Sequence, residues 1–184
     1  MNRPLRADAA RNRARVLEVA YETFAADGLA VPIDEIARRA GVGAGTVYRH
    51  FPTKEDLFRA VIESRIRSIV AAGRTMLDDA EPGEALFQFL RSMVLQWGAT
   101  DRGLGEALAG VGIDVNAAIP EAESDFLDML GALLRAAQAA GTARRDVGVA
   151  DVKALLVGLQ AVQGYNNDAA TRVLEVVLDG LRAS

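Results

Sequence analysis

The sequence predicts an all-α protein. Hydrophobic residues make up 51% of the 184 residues and there are only five prolines, which suits a well-filled helical core. Apolar residues recur at helical spacing, and no alternating β-branched run of strand length appears. We expect about nine helices in two parts, a three-helix N-terminal domain with a helix-turn-helix over residues 1–54 and a C-terminal helical domain over residues 55–184.

The first helix is predicted from about Asp8 to Asp27, and Gly28 is expected to close it. Tyr21 and Phe24 lie on its apolar face. The two short helices that follow cannot bury their own apolar faces, so this helix is expected to support them. The expected partners of its aromatic rings are Ile36, Val47 and Phe51.

Two short helices joined by a tight turn are predicted between Val31 and Phe51. Pro32 suits the start of the first, since proline is tolerated in a first turn, and Gly41 suits the joint, since glycine adopts a left-handed conformation without a Cβ clash. The apolar positions of the pair are Ile33, Ile36, Ala37, Ala40, Val42, Val47 and Phe51.

The outward face of the second short helix contains no acidic residue. Most of its members can donate a hydrogen bond and the first ones are small, which suits a helix tip that enters the major groove of DNA. These candidate DNA-binding residues are Ala44, Gly45, Thr46, Tyr48, Arg49 and His50. Arg38 and Arg39 before the turn, and Lys54 after the helix, add positive charge. The alternative is a helical hairpin that only packs, with a solvated basic face.

A longer pattern from Arg13 to Ile62 is far more specific than the hairpin alone. Its members are Val16, Leu17, Ala20, Phe24, Gly28, Ile36, Ala37, Ala40, Gly41, Val42, Gly45, Thr46, Val47, Tyr48, His50, Phe51, Lys54 and Leu57. In this stretch the chain resembles the DNA-binding region of the tetracycline-repressor (TetR) family of bacterial transcriptional regulators. The resemblance implies a dimeric helix-turn-helix regulator, with Thr46, Tyr48, His50 and Lys54 at positions that commonly touch DNA. The chain departs from the family at two positions: Gly43 stands where a capping Ser or Thr is frequent, and Ala44 stands where a longer polar residue is frequent.

The charge distribution agrees with a DNA-binding N-terminal part. The net charge is −4, but residues 1–60 hold ten Lys and Arg against eight Asp and Glu, whereas residues 61–184 hold eleven against seventeen. Five arginines and one aspartate lie within the first fifteen residues. We therefore expect only the N-terminal part to meet phosphate, although a chance gradient of charge would look the same.

A long fourth helix is predicted from an N-cap at Thr53 to about Asp78. Five more helices are expected at about 84–98, 102–111, 120–140, 149–163 and 169–182. Residues 165–167 are interpreted as a loop, with Asn167 or Asp168 capping the final helix.

The last two predicted helices carry uncharged apolar stripes, which include Leu156, Leu159 and Leu174. The resemblance implies that such helices from two chains form a four-helix bundle, the usual dimer face of the family. The alternative is that both stripes belong to the core of a single chain.

The C-terminal part also contains bulky, adaptable side chains that could line a ligand cavity. The candidates are Phe89, Met93, Trp97, Phe126, Met129 and Gln160. The expected ligand is a small, largely apolar or aromatic effector whose binding weakens the hold on DNA. The alternative is ordinary core packing, which is the better explanation for any single aromatic side chain among them.

Several functional classes are excluded or disfavoured. The absence of cysteine removes disulfides and thiolate chemistry, and the single histidine, His50, lies in the helix-turn-helix. No cofactor motif or catalytic constellation appears, so an enzyme is disfavoured. No apolar run reaches the ~18 residues of a membrane span, and cytoplasmic residence is expected.

The sequence therefore predicts a transcriptional regulator, a ligand-responsive repressor that binds a palindromic operator in double-stranded DNA as a homodimer. The alternative is a helical module that binds a protein or a small molecule but not DNA, which salt-dependent binding to duplex DNA would distinguish.

Overall fold

In a computed structural model the residues described are 3–81, 83–96 and 119–183, with side chains from Asp8 onward. They form eight α-helices: α1 (Arg3–Asp27), α2 (Ile33–Ala40), α3 (Ala44–His50), α4 (Lys54–Asp79), α5 (Ala85–Leu95), α6 (Pro120–Ala139), α7 (Val149–Tyr165) and α8 (Asn167–Leu181). The β pairing found in these ranges is one isolated bridge between Ala143 and Arg182. The all-α prediction is confirmed. The helix predicted at 102–111 lies outside the described residues.

The chain divides into two compact units, and the division falls inside α4. Among the described residues, those up to Arg65 together with Ile119 form the first unit. The described residues between Ile66 and Gln96, together with those from Pro120 on, form the second. The sequence had placed the boundary after residue 54. The difference arises because the first turns of α4 bury their apolar side chains in the N-terminal core; the ring of Phe58 meets that of Phe24 edge-on, with centroids 5.7 Å apart.

The core of the first unit contains most of the residues that the spacing selected. Phe24, Ile36, Val47 and Phe51 are all buried. Tyr21 is only half-buried, and its ring lies under the guanidinium of Arg65, 5.3 Å from ring centroid to Cζ. The two short helices α2 and α3 thus share one small core with α1 and the start of α4.

The turn between α2 and α3 depends on Gly41, which adopts φ 67° and ψ 31°. Its N–H donates to the carbonyl of Arg38, and the N–H of Val42 donates to that of Ala37 at 3.0 Å. These two bonds satisfy carbonyls that the end of a helix leaves unpaired, and only the left-handed conformation allows both. The predicted role of Gly41 as the joint is confirmed.

The start of α4 is fixed by a reciprocal cap. The hydroxyl of Thr53 accepts from the N–H of Asp56 at 3.1 Å, and a carboxylate oxygen of Asp56 accepts from the N–H of Thr53 at 3.2 Å. The cap of α8 differs from the prediction, because Asn166 accepts from the N–H of Ala169 at 3.1 Å. Helix α7 continues through Tyr165, so the extended Asn166 is the one residue between the two helices and takes the cap position.

The core of the second unit is built from α5 to α8 with the second half of α4. Helix α5 is the most deeply buried of these, and its buried members are Ala85, Leu86, Phe87, Phe89, Leu90, Ser92, Met93 and Val94. Two ion pairs connect α5 and α8: Arg91 Nη2 lies 2.8 Å from Glu175 Oε2, and Arg182 Nη1, just after α8, lies 2.9 Å from Glu84 Oε1, just before α5. Among the helices described, none has the length and apolar character needed to cross a membrane.

Candidate nucleic-acid interface

Helix α3 turns a polar face outward, as the sequence predicts. Val47 is its fully buried residue and anchors the helix to the core of the first unit. Gly45, Tyr48, Arg49 and His50 are exposed, and Tyr48 is 44% exposed. Ala44 and Thr46 are half-buried. The six outward candidates therefore form one accessible surface whose centre is small and whose C-terminal end is large and cationic.

The backbone at both ends of α3 holds this surface in place. At the start, Gly43 supplies no side-chain cap, and its carbonyl instead accepts from the N–H of Thr46 at 2.9 Å. At the end, the N–H of Phe51 donates to the carbonyl of Val47 at 2.8 Å, and the Phe51 ring is 3% exposed. A helix this short has little stability of its own, so these contacts with the core are what keep it folded.

The two arginines of α2 are engaged in ion pairs within the unit. Glu35 accepts from Arg38 Nη2 at 2.7 Å and from Arg39 Nε at 2.8 Å, and Arg39 Nη1 lies 2.6 Å from Asp27 Oδ2. Hydrogen bonds donated by Arg38 and then Arg39 lower the pKa of Glu35 to about 2, and the hydrogen bonds that Arg39 donates to Glu35 and then Asp27 raise the pKa of Arg39. Two carboxylates thus balance two guanidinium groups, and Arg38, although its side chain is 73% exposed, adds little net positive charge.

Arg49 and Lys54 differ from the α2 arginines. Within the part of the chain that the structure describes, neither makes an ion pair or a side-chain hydrogen bond. Arg49 is exposed and Lys54 is half-buried. A cation without an internal pair is available to a phosphate or a base edge without first breaking that pair. The positive charge of this surface therefore comes from α3 and the start of α4.

Two further cations on α1 approach the helix-turn-helix. The guanidinium of Arg13 lies over the ring of Phe51, 5.3 Å from Cζ to the centroid. A guanidinium nitrogen of Arg15 lies 3.9 Å from the position that a Cβ on Gly41 would occupy. The sequence showed an arginine-rich start but not which arginines reach the motif, because that depends on how α1 crosses α2 and α3.

The predicted ligand-binding residues lie in the core of the second unit. Phe89, Met93 and Met129 are buried, and Phe126 and Gln160 are half-buried. The rings of Phe89 and Phe126 are tilted neighbours with centroids 6.3 Å apart. Trp97 lies outside the described residues. Two surface clefts of about 270 and 380 Å³ are present in this unit, but both are lined by other residues, namely Arg144, Val147, Leu155, Val177, Gly180 and Leu181 in one and Thr75, Met76, Asp79, Ala80, Glu81 and Gln88 in the other.

The three leucines assigned to a dimer face are buried within the chain itself. Leu156, Leu159 and Leu174 are 4%, 2% and 0% exposed and belong to the core of the second unit. A side chain already covered by its own chain offers no surface to a partner, so these three positions correspond to the alternative of an internal core. The exposed apolar side chains of α7 and α8 include Val157 and Val176, which are 57% and 70% exposed.

A helix-turn-helix that presents an acid-free face with unpaired cations defines a DNA-binding protein. Residues 16–61 match the family of bacterial regulatory proteins named after tetR, and residues 81–183 match the C-terminal domain of SbtR-like transcriptional regulators. The chain belongs to the TetR family of transcriptional regulators, as the resemblance in its first sixty residues had indicated. Members of this family are regulators and not enzymes.

Similar proteins support the same conclusion over different lengths. A TetR transcription regulatory protein from Mycobacterium vanbaalenii is 61% identical, with a TM-score of 0.83 over 98% of this chain and 100% of that one. A TetR regulator from Streptomyces coelicolor is 32% identical, with a TM-score of 0.77 over 94% and 99%. An HTH-type transcriptional regulator of Staphylococcus aureus (strain USA300) is 31% identical over 101 residues, 54% of this chain. The chain spans about half the length of the curated relatives it matches, 55% in that case.

Proposed function

We propose that this chain acts as a homodimeric, ligand-responsive repressor that binds a palindromic operator in double-stranded DNA. The observation that supports it best is the exposed face of α3, which carries no carboxylate. Arg49 on this face and Lys54 just beyond it make no ion pair with any residue that the structure describes. Cations in this state can exchange their counterions for DNA phosphates, which drives association. A repressor of this kind would work in the cytoplasm, beside the DNA.

Individual roles follow from side-chain length and position. Ala44 and Gly45 at the tip of α3 are small enough to let the backbone approach the floor of the major groove. Thr46 and Arg49 are the candidates for base edges, and arginine suits a guanine, with which it can form two hydrogen bonds. Tyr48 and Lys54 are assigned to phosphates, and His50 is exposed beside them. Arg13 and Arg15 add cations next to the motif, while Arg38 remains tied to Glu35.

The proposed dimer uses the outer faces of α7 and α8. Val157 and Val176 leave apolar surface in water on these two helices, and pairing of two such helices from each chain would cover it. A two-fold axis through that bundle matches the symmetry of a palindrome, whose half-sites lie about 34–36 Å apart.

The proposed effector binds in the second unit and acts through α4. This helix belongs to both units, because the division falls between Arg65 and Ile66, so a change of tilt in its second half is carried into its first. A ligand shifts the equilibrium only by its difference in affinity for the two states, and a tenfold release from DNA needs about 1.4 kcal/mol of preference.

The test is selection of bound sequences from a random DNA duplex pool, followed by anisotropy titrations at several salt concentrations. Lys54→Ala is expected to weaken binding to all sequences alike and to make the salt slope shallower by about one unit. Arg49→Ala is expected to cost about 1–3 kcal/mol at one base position and to relax the selected sequence there. Arg74→Ala, which removes an exposed cation from the second unit, is the matched control.

Each possible result of these binding experiments bears on a different part of the proposal. A sequence-selective loss in Lys54→Ala would contradict its assignment to phosphate. An unchanged selected sequence in both Thr46→Ala and Arg49→Ala would assign specificity to DNA shape or to the α1 arginines. If the wild-type chain shows no salt-dependent binding to duplex DNA, the alternative of a helical interaction or small-molecule module takes its place.

A further inference from the structure

Gln163 occupies a core position of α7. The buried residues of this helix are Val152, Leu156, Leu159 and Gln163, which recur every three or four residues along one face. The first three are aliphatic, and the pattern calls for a fourth. Gln163 is 6% exposed, so a primary amide with three or four hydrogen-bonding sites has been placed where water does not reach them.

One half of this amide has a partner at the end of α5. Gln163 Nε2 donates to the carbonyl oxygen of Val94 at 2.9 Å. Helix α5 ends at Leu95, and the last carbonyls of a helix have no intrahelical N–H to accept from. The side chain therefore supplies a donor to a carbonyl in the last turn of α5, and this bond fixes which end of the amide is nitrogen, since a carbonyl oxygen can only accept.

The other half of the amide has no partner. Gln163 Oε1 is buried and accepts no hydrogen bond from any residue that the structure describes. Because Nε2 is committed to Val94, the amide cannot turn over to satisfy its oxygen without leaving the carbonyl unpaired. A buried polar atom without a partner destabilises the folded chain, and nearly all such atoms in native proteins are paired with protein, water or ligand.

We propose that Gln163 Oε1 is the hydrogen-bond acceptor of the effector site, and that the effector is a neutral, largely apolar molecule carrying one O–H or N–H donor. This rests on the proposed effector-binding function and narrows its ligand class. A carboxylate would be repelled by a carbonyl oxygen, and an ionised group would have to be desolvated among the leucines of α7. A neutral donor satisfies the oxygen while the rest of the molecule remains in apolar surroundings.

The experiment uses matched probes that differ in the donor alone. The full chain, without DNA, is titrated by calorimetry with 2-naphthol and 2-methoxynaphthalene, and with 4-phenylphenol and 4-methoxybiphenyl. The hydroxyl member of each pair is expected to bind at least tenfold more tightly than its methyl ether. In Gln163→Met, which keeps the length of the side chain but removes the acceptor, the ratio is expected to fall to about one. Gln88→Met, on the exposed side of α5, is the matched control and should keep the wild-type ratio.

Equal affinities within the wild-type pairs would overturn the inference, as would a ratio that persists in Gln163→Met or a complete lack of binding at about 1 mM. If Gln163→Met does not unfold cooperatively, nuclear magnetic resonance of the wild-type Gln163 side-chain amide decides instead. It must shift on addition of the hydroxyl compounds and not of the ethers. Operator binding is measured separately, so intact DNA binding with equal probe affinities would reject this inference and leave the regulator in place.

Discussion

The two units of this chain differ in how well the apolar spacing of a helix predicts which of its residues are exposed. In the first unit the apolar positions of α2 and α3 are buried and the residues between them form the exposed face. In the second unit the apolar stripes of α7 and α8 are real, but Leu156, Leu159 and Leu174 face the chain's own core. Val157 and Val176, which lie beside those stripes, are the exposed ones.

The difference follows from helix length and surroundings. Helix α3 has seven residues and buries only Val47, so once the apolar side is known, the rest is surface. Helix α7 has 17 residues and is apolar over much of its circumference, so it can pack on its own chain with one side and still leave apolar surface on another. An apolar stripe on such a helix does not reveal whether its own chain or a partner chain covers it.

The largest effect is expected for a charge placed in the buried stripe. Leu159→Asp removes a core leucine, which alone costs about 2–5 kcal/mol, and buries a carboxylate in its place. Since a typical domain is stable by only about 5–15 kcal/mol, we expect the helical circular dichroism signal and the cooperative unfolding transition to be lost. Val157→Asp, two residues away and 57% exposed, is the control and should stay helical. A folded, monomeric Leu159→Asp protein would contradict this and would place Leu159 in the dimer interface.

A smaller effect, on self-association and not on folding, is expected for a charge on the exposed side of α8. Val176 is 70% exposed, so Val176→Asp should leave the fold intact and weaken self-association at least tenfold by sedimentation, equal to about 1.4 kcal/mol. Affinity for a palindrome should fall with it, because each half-site alone supplies only part of the binding. Ser124→Asp adds the same charge on an exposed position of α6 and should change neither. Unchanged association in both variants would move the interface away from α8.

The smallest effect concerns the charge balance of the first unit. The lowered pKa of Glu35, about 2, means that its ion pairs stabilise the fold fully above the unfolded pKa and are lost as the pH falls from about 4.5 toward 2. The stability difference between wild type and Glu35→Gln should therefore narrow over that range in urea titrations. Because these ion pairs are partly open to solvent, the difference is expected to be small. Glu55→Gln, an exposed carboxylate on α4, gives the reference for loss of a charge; identical pH profiles for the two variants would contradict the pairing.

Glu35→Gln is also expected to change DNA binding. It releases Arg38 and Arg39 from their shared carboxylate, so non-specific DNA affinity should rise and its salt dependence should steepen. Arg39 keeps its ion pair with Asp27 in this variant, so an unchanged salt slope would mean that Arg38 does not approach phosphate even without its pair to Glu35.

The sequence alone determined the helices, their approximate ends and the family. Spacing located seven of the eight described helices to within a few residues of each end, and the first to within five at its start. Local chemistry placed the left-handed Gly41 and the Thr53 cap, because each of these features involves residues within about one helical turn. The exposed residues of α3 were predictable for the same reason.

Only the tertiary structure decided which apolar faces are internal, which arginines form ion pairs and where the buried amide of Gln163 lies. Arg38 and Arg49 look alike in sequence, yet Arg38 pairs with Glu35, whereas Arg49 makes no ion pair within the described part of the chain. Arg13 reaches Phe51 because α1 passes α3, and Gln163 meets Val94 across 69 positions of the chain. Local pattern fixes what a helix can bury, whereas burial itself, and the pairing of charges, depend on neighbours that are distant in sequence.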